Sequence, residues 1–218
     1  MWLPLFPLNT VLFPGLPLDL HIFEDRYKEM IGRCLKESLP FGVVLIREGQ
    51  EALGPAAVPA DVGTMAMITK VMELPGGRLF LNSVGRERFR IKSLDHSHAY
   101  LSGQVEEFDL LNDGPSGSVL VETREELLSL ADEYFSVLTN EPGKRLPDPI
   151  RAYPPEQLAH AVCDLLQVSM PRKQELLEIP SLELLLTALL TAYRREIPVL
   201  RGLRDQKMDG PGDAASWN

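Results

Sequence analysis

The sequence is poor in cysteine and histidine, which limits the disulfide and metal chemistry open to it. Its two cysteines, Cys34 and Cys163, lie far apart and form no C-x-x-C motif, so we expect reduced, buried thiols of the kind usual in the cytoplasm. His96 and His98 form a His-x-His pair with only Asp95 beside them as a further ligand. Two histidines in a turn are more simply explained as solvated side chains than as a zinc site. The sequence therefore predicts a cytoplasmic protein without a metal or cofactor.

Motifs for nucleotide hydrolysis and for a serine nucleophile are also missing. The only Gly-Lys pair, Gly143-Lys144, is followed by Arg145 and lacks both the upstream glycine and the hydroxyl of a phosphate-binding loop. No Gly-x-Ser-x-Gly elbow occurs. We therefore predict that the chain is not an enzyme and acts without ATP.

Long apolar runs and excess positive charge are absent as well. Hydrophobic residues make up 44% and charged residues 24%, as in an ordinary globular protein. No run approaches the roughly 18 apolar residues of a membrane span, and the apolar N-terminus is interrupted by Pro4, Pro7 and Pro14, unlike a signal peptide. The net charge of −9 disfavours a nucleic-acid partner, because phosphate neutralisation dominates that affinity.

Residues 1–110 have mainly the two-residue period of strands, with one helix among them. Dense prolines in 3–15 favour edge strands and turns over a helix or a central strand. A helical stripe covers 24–38 and ends before Pro40. Further strands are predicted at 16–22, 41–46, 62–74, 79–84, 88–94 and 100–108. A closed or nearly closed barrel is the simplest way to protect so many short edges.

Residues 111–204 have a helical period instead. Polar residues at 111–118 mark the boundary, and the last segment, 205–218, is rich in Gly, Ala, Pro and Asp and is predicted to be a disordered tail. Helices are predicted at 119–138, 155–166, 171–178 and 182–203. The predicted domains are a β subdomain at 1–110, an α-helical subdomain at 111–204 and the tail.

Three blocks of residues match a known family. They are Leu5-Phe6-Pro7-Leu8 with Val11 to Gly15 and Phe23-Glu24 to Tyr27; Gly63-Thr64 with Pro75 to Leu79 and Arg88-Phe89-Arg90-Ile91; and Leu158-Ala159 with Leu165-Leu166 and Lys173 to Glu178. Together they resemble, over nearly the whole chain, the substrate-binding domain at the N-terminus of Lon proteases. The last helix departs from the pattern, since Leu184-Leu185-Leu186 stands where family members often have an Arg-Leu pair.

This resemblance implies an α+β fold in which a PUA-like β pseudo-barrel with one helix precedes a helical bundle. It also implies a non-catalytic recognition module for unfolded or damaged polypeptides, or for a protease or adaptor partner. The Lon ATPase and its serine–lysine peptidase have no counterpart in the sequence, so we expect a free-standing copy of the domain. The client and the oligomeric state stay open.

Exposed apolar side chains are the first candidate binding surface, because unfolded chains expose apolar groups. Proline-framed segments hold Phe6, Leu12, Phe13 and Leu16, with ordinary core packing as the alternative explanation. The Ala- and Pro-rich loop 53–59 is a second candidate.

A basic strand is the other candidate surface. Arg86, Arg88, Arg90 and Lys92 alternate and so share one face of a strand. PUA-like folds often bind RNA, so an RNA-binding module is the main alternative function, although Glu87 interrupts the stripe. A solvated strand face is the simpler explanation.

Overall fold

The computed structural model describes residues 1–49, 57–111 and 118–208. The strands are β1 (Trp2–Leu8), β2 (Pro17–Ile22), β3 (Phe41–Glu48), β4 (Val58–Pro59), β5 (Val62–Leu74), β6 (Arg78–Asp95) and β7 (Ser102–Glu107). The helices are α1 (Asp25–Glu37), α2 (Ser118–Thr139), α3 (Asp148–Arg151), α4 (Pro155–Leu165), α5 (Met170–Leu177) and α6 (Leu182–Met208). This confirms the predicted α+β fold, with the strands first.

Five strands of the chain close into a barrel. Their order is β1-β7-β6-β5-β3, and β3 returns to β1 through parallel pairing of Leu5 to Leu8 with Gly42 to Leu45. β2 pairs with the first half of β6, and β4 with the end of β3. Closure leaves these five strands without an exposed edge, and this protection of strand edges is the reason for predicting a barrel.

The first strand is more central than its prolines predict. β1 pairs with β7 through Trp2 to Pro4 and with β3 from Leu5 onwards. The Leu5 N–H donates to the Leu101 carbonyl on the β7 side, at 2.8 Å. Backbone groups alternate in direction along a strand. The nitrogen of Pro4 therefore points towards β3, but Pro4 precedes Leu5, the first residue of β1 that pairs with β3. The nitrogen of Pro7 points towards β7, but Pro7 lies beyond Pro4, the last residue of β1 that pairs with β7. Neither proline therefore removes a hydrogen bond between strands.

Helix α1 covers one part of the barrel with the stripe that its sequence predicts. Tyr27, Met30, Ile31 and Cys34 are buried, and Tyr27 stacks on Phe6 with ring centroids 4.0 Å apart. The helix ends at Ser38, whose φ of 53° is left-handed and lies outside the helical range. Burial raises the pKa of the Cys34 thiol to about 11, so this thiol is protonated at neutral pH and is a poor nucleophile.

The predicted strands at 79–84 and 88–94 form one continuous strand, β6. Gly85 lies at its centre, where a Cβ atom would be only 2.6 Å from the Phe13 carbonyl oxygen. The glycine therefore marks a close backbone approach within a strand and not a break between two strands.

The chain divides into two compact units, Met1–Asp113 with Gln167–Leu182, and Gly114–Leu166 with Glu183–Asn218. The predicted helical subdomain at 111–204 is therefore wrong for 167–182. This segment is held to the barrel by polar contacts that helical periodicity does not reveal, among them a 2.9 Å hydrogen bond from Gln174 Nε2 to the Val62 carbonyl. The predicted tail also begins too early, because α6 continues to Met208. The rest of the tail lies outside the described residues.

The second unit is organised around a buried tyrosine pair and an aspartate. The rings of Tyr134 and Tyr193 pack edge to face with their centroids 5.2 Å apart. The Tyr193 hydroxyl donates a hydrogen bond to the Val162 carbonyl oxygen, at 2.7 Å. Asp132 accepts hydrogen bonds from the Leu146 N–H at 2.8 Å and from two arginines, Arg145 and Arg151.

We expect Asp132→Asn to lower stability at neutral pH and to have little effect in acid. Partial burial raises the pKa of Asp132, but hydrogen bonds from Leu146, Arg151 and Arg145 outweigh it and hold the pKa below the ordinary 3.8. A carboxyl group whose pKa is lower in the folded than in the unfolded state stabilises the fold at pH values above its unfolded-state pKa. This stabilisation is lost as the pH falls through the folded-state pKa. Allowing for solvent screening, the melting temperature at pH 7 should fall by roughly 2–4 °C. Thermal melts of the wild type and of Asp132→Asn between about pH 7 and pH 3 test this prediction. A difference in melting temperature that does not become smaller in acid would contradict it.

Candidate functional site

The barrel buries most of the apolar residues that were predicted to bind clients. Phe6 and Leu12 are each 5% exposed and Phe13 is 1% exposed. Phe6 and Leu12 pack in the core cluster that includes the buried side chains of α1, and Phe13 is buried as well. The prediction of an exposed surface at these three residues is therefore wrong. Leu16 is only half-buried. It is therefore the one member of that set that remains available.

Most of the second candidate, the loop 53–59, lies outside the described residues. Ala57, Val58 and Pro59 are described, and Val58 is exposed while Pro59 is buried beside β3.

The predicted basic stripe on β6 is interrupted in the folded chain. Arg88 is 3% exposed and donates to the carbonyl oxygens of Leu177 and Ile179, at 2.6 and 2.7 Å. Lys92 forms a 2.7 Å ion pair with Glu106 on β7. Arg90 is exposed, with its guanidinium 4.4 Å from the centre of the Phe108 ring. The prediction of four cooperating cations is wrong, because one of them is a structural anchor and another is paired.

A different apolar surface lies where β2, β5 and β6 extend beyond the barrel. We call it the apolar face. It consists of six half-buried side chains that pack against the core around α1: Leu16, Leu18, Leu20, Ile68, Val71 and Leu79.

The pairing of the strands explains why these side chains share one face. Leu20, Leu81 and Val71 stand opposite one another across β2, β6 and β5, so they form a single row. Leu81 is fully buried, whereas Leu20 and Val71 at the two ends of the row keep part of their surface in solvent. The sheet is thus covered at its centre and open towards its margins.

The sequence contains a signal for the strand that carries this surface, but not for its exposure. Leu16, Leu18 and Leu20 alternate, which predicts a strand with one buried face. Alternation does not show how completely a face is covered, because that depends on which residues from distant parts of the chain pack against it. The β5–β6 hairpin extends to Leu74 and Arg78, where Gly76 and Gly77 take φ values of 80° and 67°.

The remaining polar candidates of the sequence make local contacts in the folded chain. The His98 ring stacks on the Tyr100 ring with their centroids 5.2 Å apart, and the Asp95 carboxylate accepts hydrogen bonds from Ser97. Across the described ranges, no three His, Cys, Asp or Glu side chains are grouped so that they could hold a metal ion. None of the helices in those ranges is long and apolar enough to span a membrane.

Comparison with known proteins identifies the family. Residues 2–193 match the family described as the ATP-dependent protease La (LON) substrate-binding domain. The chain belongs to this family. Its resemblance to the Lon substrate-binding domain, predicted from three blocks of sequence, is therefore confirmed.

Relatives and solved structures agree with this assignment. The chain is 28% identical to Lon protease 2 of Syntrophobacter fumaroxidans over 79% of its length, and 30% identical to the Lon protease of Paraburkholderia phytofirmans over 88%. It spans only 21% and 24% of those relatives, respectively. A crystal structure of a Lon N-terminal domain protein from Xanthomonas campestris matches with a TM-score of 0.63 and 25% identity, covering 88% of this chain and 98% of that one. The N-terminal domain of the Mycobacterium avium complex Lon protease shares the fold, with a TM-score of 0.61 and 18% identity over 89% of this chain and 98% of that one.

Proposed function

We propose that this protein is a non-catalytic recognition module that binds exposed apolar segments of unfolded or damaged polypeptides. Membership of the Lon substrate-binding domain family supports a recognition role, since the matched part of Lon is the part named for substrate binding. The observation that carries the proposal is the half-buried apolar face on β2, β5 and β6.

The chemistry of the apolar face suits an unfolded chain. A folded protein buries its apolar side chains, and unfolding exposes them. Six aliphatic side chains that retain exposed area offer such groups a surface to cover, and the area removed from water is the source of affinity. Phe23 follows β2 directly and is 59% exposed, which adds an aromatic side chain next to the end of the strand.

The alternative, an RNA-binding module, loses the observation that motivated it. RNA binding on β6 required Arg86, Arg88, Arg90 and Lys92 to act together, but Arg88 is buried and Lys92 is paired. The net charge of −9 opposes a polyanion further. We therefore favour a polypeptide partner, either the client itself or a protease or adaptor that shares it. The buried thiols of Cys34 and Cys163 support a cytoplasmic location.

Binding of a fluorescently labelled, permanently unfolded polypeptide, followed by anisotropy, tests the proposed function. We expect micromolar affinity for the unfolded chain, and no measurable binding to its folded form or to a labelled RNA. Absence of binding to the unfolded chain would reject the proposal, and salt-sensitive binding to RNA alone would restore the alternative.

Within that assay, Val71→Lys is expected to weaken binding about tenfold, which corresponds to roughly 1.4 kcal/mol. The lysine places a charge on the apolar face, while its aliphatic stem can still lie along the neighbouring side chains. Met72→Lys is the matched control, since Met72 is the next residue of β5, points to the opposite face and is 38% exposed. Both variants add one positive charge, so bulk electrostatics is held constant. Equal effects of the two substitutions would show that clients do not contact the apolar face.

A further inference from the structure

The outer edge of β2 carries backbone groups without a strand partner. β2 pairs with β6 along one edge and, among the described residues, with no strand along the other. The Leu18 carbonyl accepts a hydrogen bond from Ser83 Oγ at 2.7 Å, and the Gly85 N–H donates to the Leu16 carbonyl at 2.8 Å. The backbone groups of even-numbered residues therefore face β6. Because direction alternates along a strand, the N–H and C=O groups of Asp19 and His21 face the open edge.

This edge carries Pro17 at its start and the charged Asp19, both of which limit strand addition, but it has no bulge and no lysine. The pairing of β2 with β6 runs without a register shift, and Asp19 and His21 are exposed. At the other margin of the same three strands, β5 has a register shift between Ile68 and Lys70, and Lys70 is exposed. A bulge and a lysine discourage strand addition on that side. From Leu18 to Ile22 the sheet is therefore more open to extension at β2 than it is at β5.

We propose, resting on the proposed function, that a client segment binds as an added strand along β2. Every second side chain of such a strand would lie next to Leu18 and Leu20 on the apolar face. The intervening side chains would lie beside Asp19 and His21 on the other face. The carboxylate of Asp19 and the net charge of −9 favour basic residues at these intervening positions.

Strand addition explains how one site accepts many client sequences. The hydrogen bonds to Asp19 and His21 involve only the main chain of the client, which is the same for every residue except proline. Side chains then contribute only a preference, set by the apolar row through Leu20 and by the charge of Asp19. The occupant is thus an extended segment with apolar residues at alternate positions and neutral or basic residues between them.

The first test uses a labelled peptide of about ten residues that alternates valine and lysine, long enough for one strand, with anisotropy as the readout. His21→Pro removes the outward N–H donor and leaves the hydrogen bonds to β6 in place. His21→Ala keeps that donor and removes only the imidazole. The centre of the imidazole ring lies 5.4 Å from the centre of the Phe80 ring. We expect His21→Pro to weaken binding roughly tenfold and His21→Ala to change it less than twofold. Circular dichroism and thermal melts of each variant establish that it is folded.

A second test needs no variant. In amide hydrogen exchange followed by NMR, the amides of Asp19 and His21 should exchange fast in the free protein and become protected when the peptide binds. The amides of Leu18 and Leu20 face β6 and should be protected in both states. Peptide binding without protection at 19 and 21, or with equal effects of the two His21 variants, overturns strand addition and leaves the proposed function standing. Binding of an unfolded polypeptide without binding of the peptide also overturns strand addition, whereas failure of both ligands overturns both proposals.

Discussion

Replacing Arg88 with methionine is expected to destabilise the folded chain by about 2–3 kcal/mol, within the usual cost of leaving buried acceptors without a donor. The Arg88 guanidinium donates to the carbonyls of Leu177 and Ile179 from a side chain that is 3% exposed. Leu177 is the last residue of α5, where the negative end of the helix dipole favours a cation and the final carbonyls lack intrahelical partners. Methionine fills much of the same space but leaves these acceptors without a donor, and such groups are costly to bury.

Urea unfolding of the wild type and the variant measures this loss, and Arg90→Met is the matched control. Arg90 lies two residues further along β6 and, like Arg88, has its guanidinium over the Phe108 ring, but it is exposed. Its replacement should cost less than about 1 kcal/mol, as for most surface changes. If the two substitutions cost the same, Arg88 does not anchor the end of α5 to the barrel.

Elements with strong local signals could be predicted from the sequence almost to the residue. Helix α1 was predicted at 24–38 and is found at Asp25–Glu37, because its stripe is continuous and Pro40 prevents extension. Strand β5 was predicted at 62–74 and is found at Val62–Leu74, since a turn with two glycines follows it. In both cases the boundary depends on residues next to the element, which a sequence displays directly.

The candidate site could be predicted only in part, because burial depends on contacts between distant residues. Phe13 looked like a loop residue in a proline-framed segment, yet its carbonyl oxygen approaches Gly85 and its side chain is in the core. Arg88 was correctly placed on a strand, but its acceptors lie 89 and 91 residues further along the chain. Local periodicity contains no information on such partners. The apolar face shows the opposite case: its leucines alternate as buried residues do, although the barrel covers them incompletely.

Replacing Gly63 with alanine is expected to reduce stability by about 3 kcal/mol, at the upper end of the usual cost of overpacking. A Cβ atom at this position would lie 2.3 Å from the Val43 carbonyl oxygen, 2.7 Å from Val44 Cγ1 and 2.8 Å from Phe89 Cζ. The nearest of these atoms belongs to the backbone of β3, which cannot move away by changing a rotamer. Since β3 pairs with both β5 and β1, any shift of this strand would disturb the closure of the barrel.

Gly32→Ala provides a control of opposite sign for the same chemical change. Gly32 lies inside α1, where a Cβ atom would meet nothing within 4 Å, and alanine is more favourable than glycine in a helix by roughly 0.5–1 kcal/mol. Chemical denaturation of both variants should therefore show a large loss for Gly63→Ala and a small gain for Gly32→Ala. A loss below about 1 kcal/mol at Gly63 would mean that the backbone of β3 relaxes around the added methyl group at little cost. The closed ring would then be looser at β3 and β5 than its strand pairing indicates.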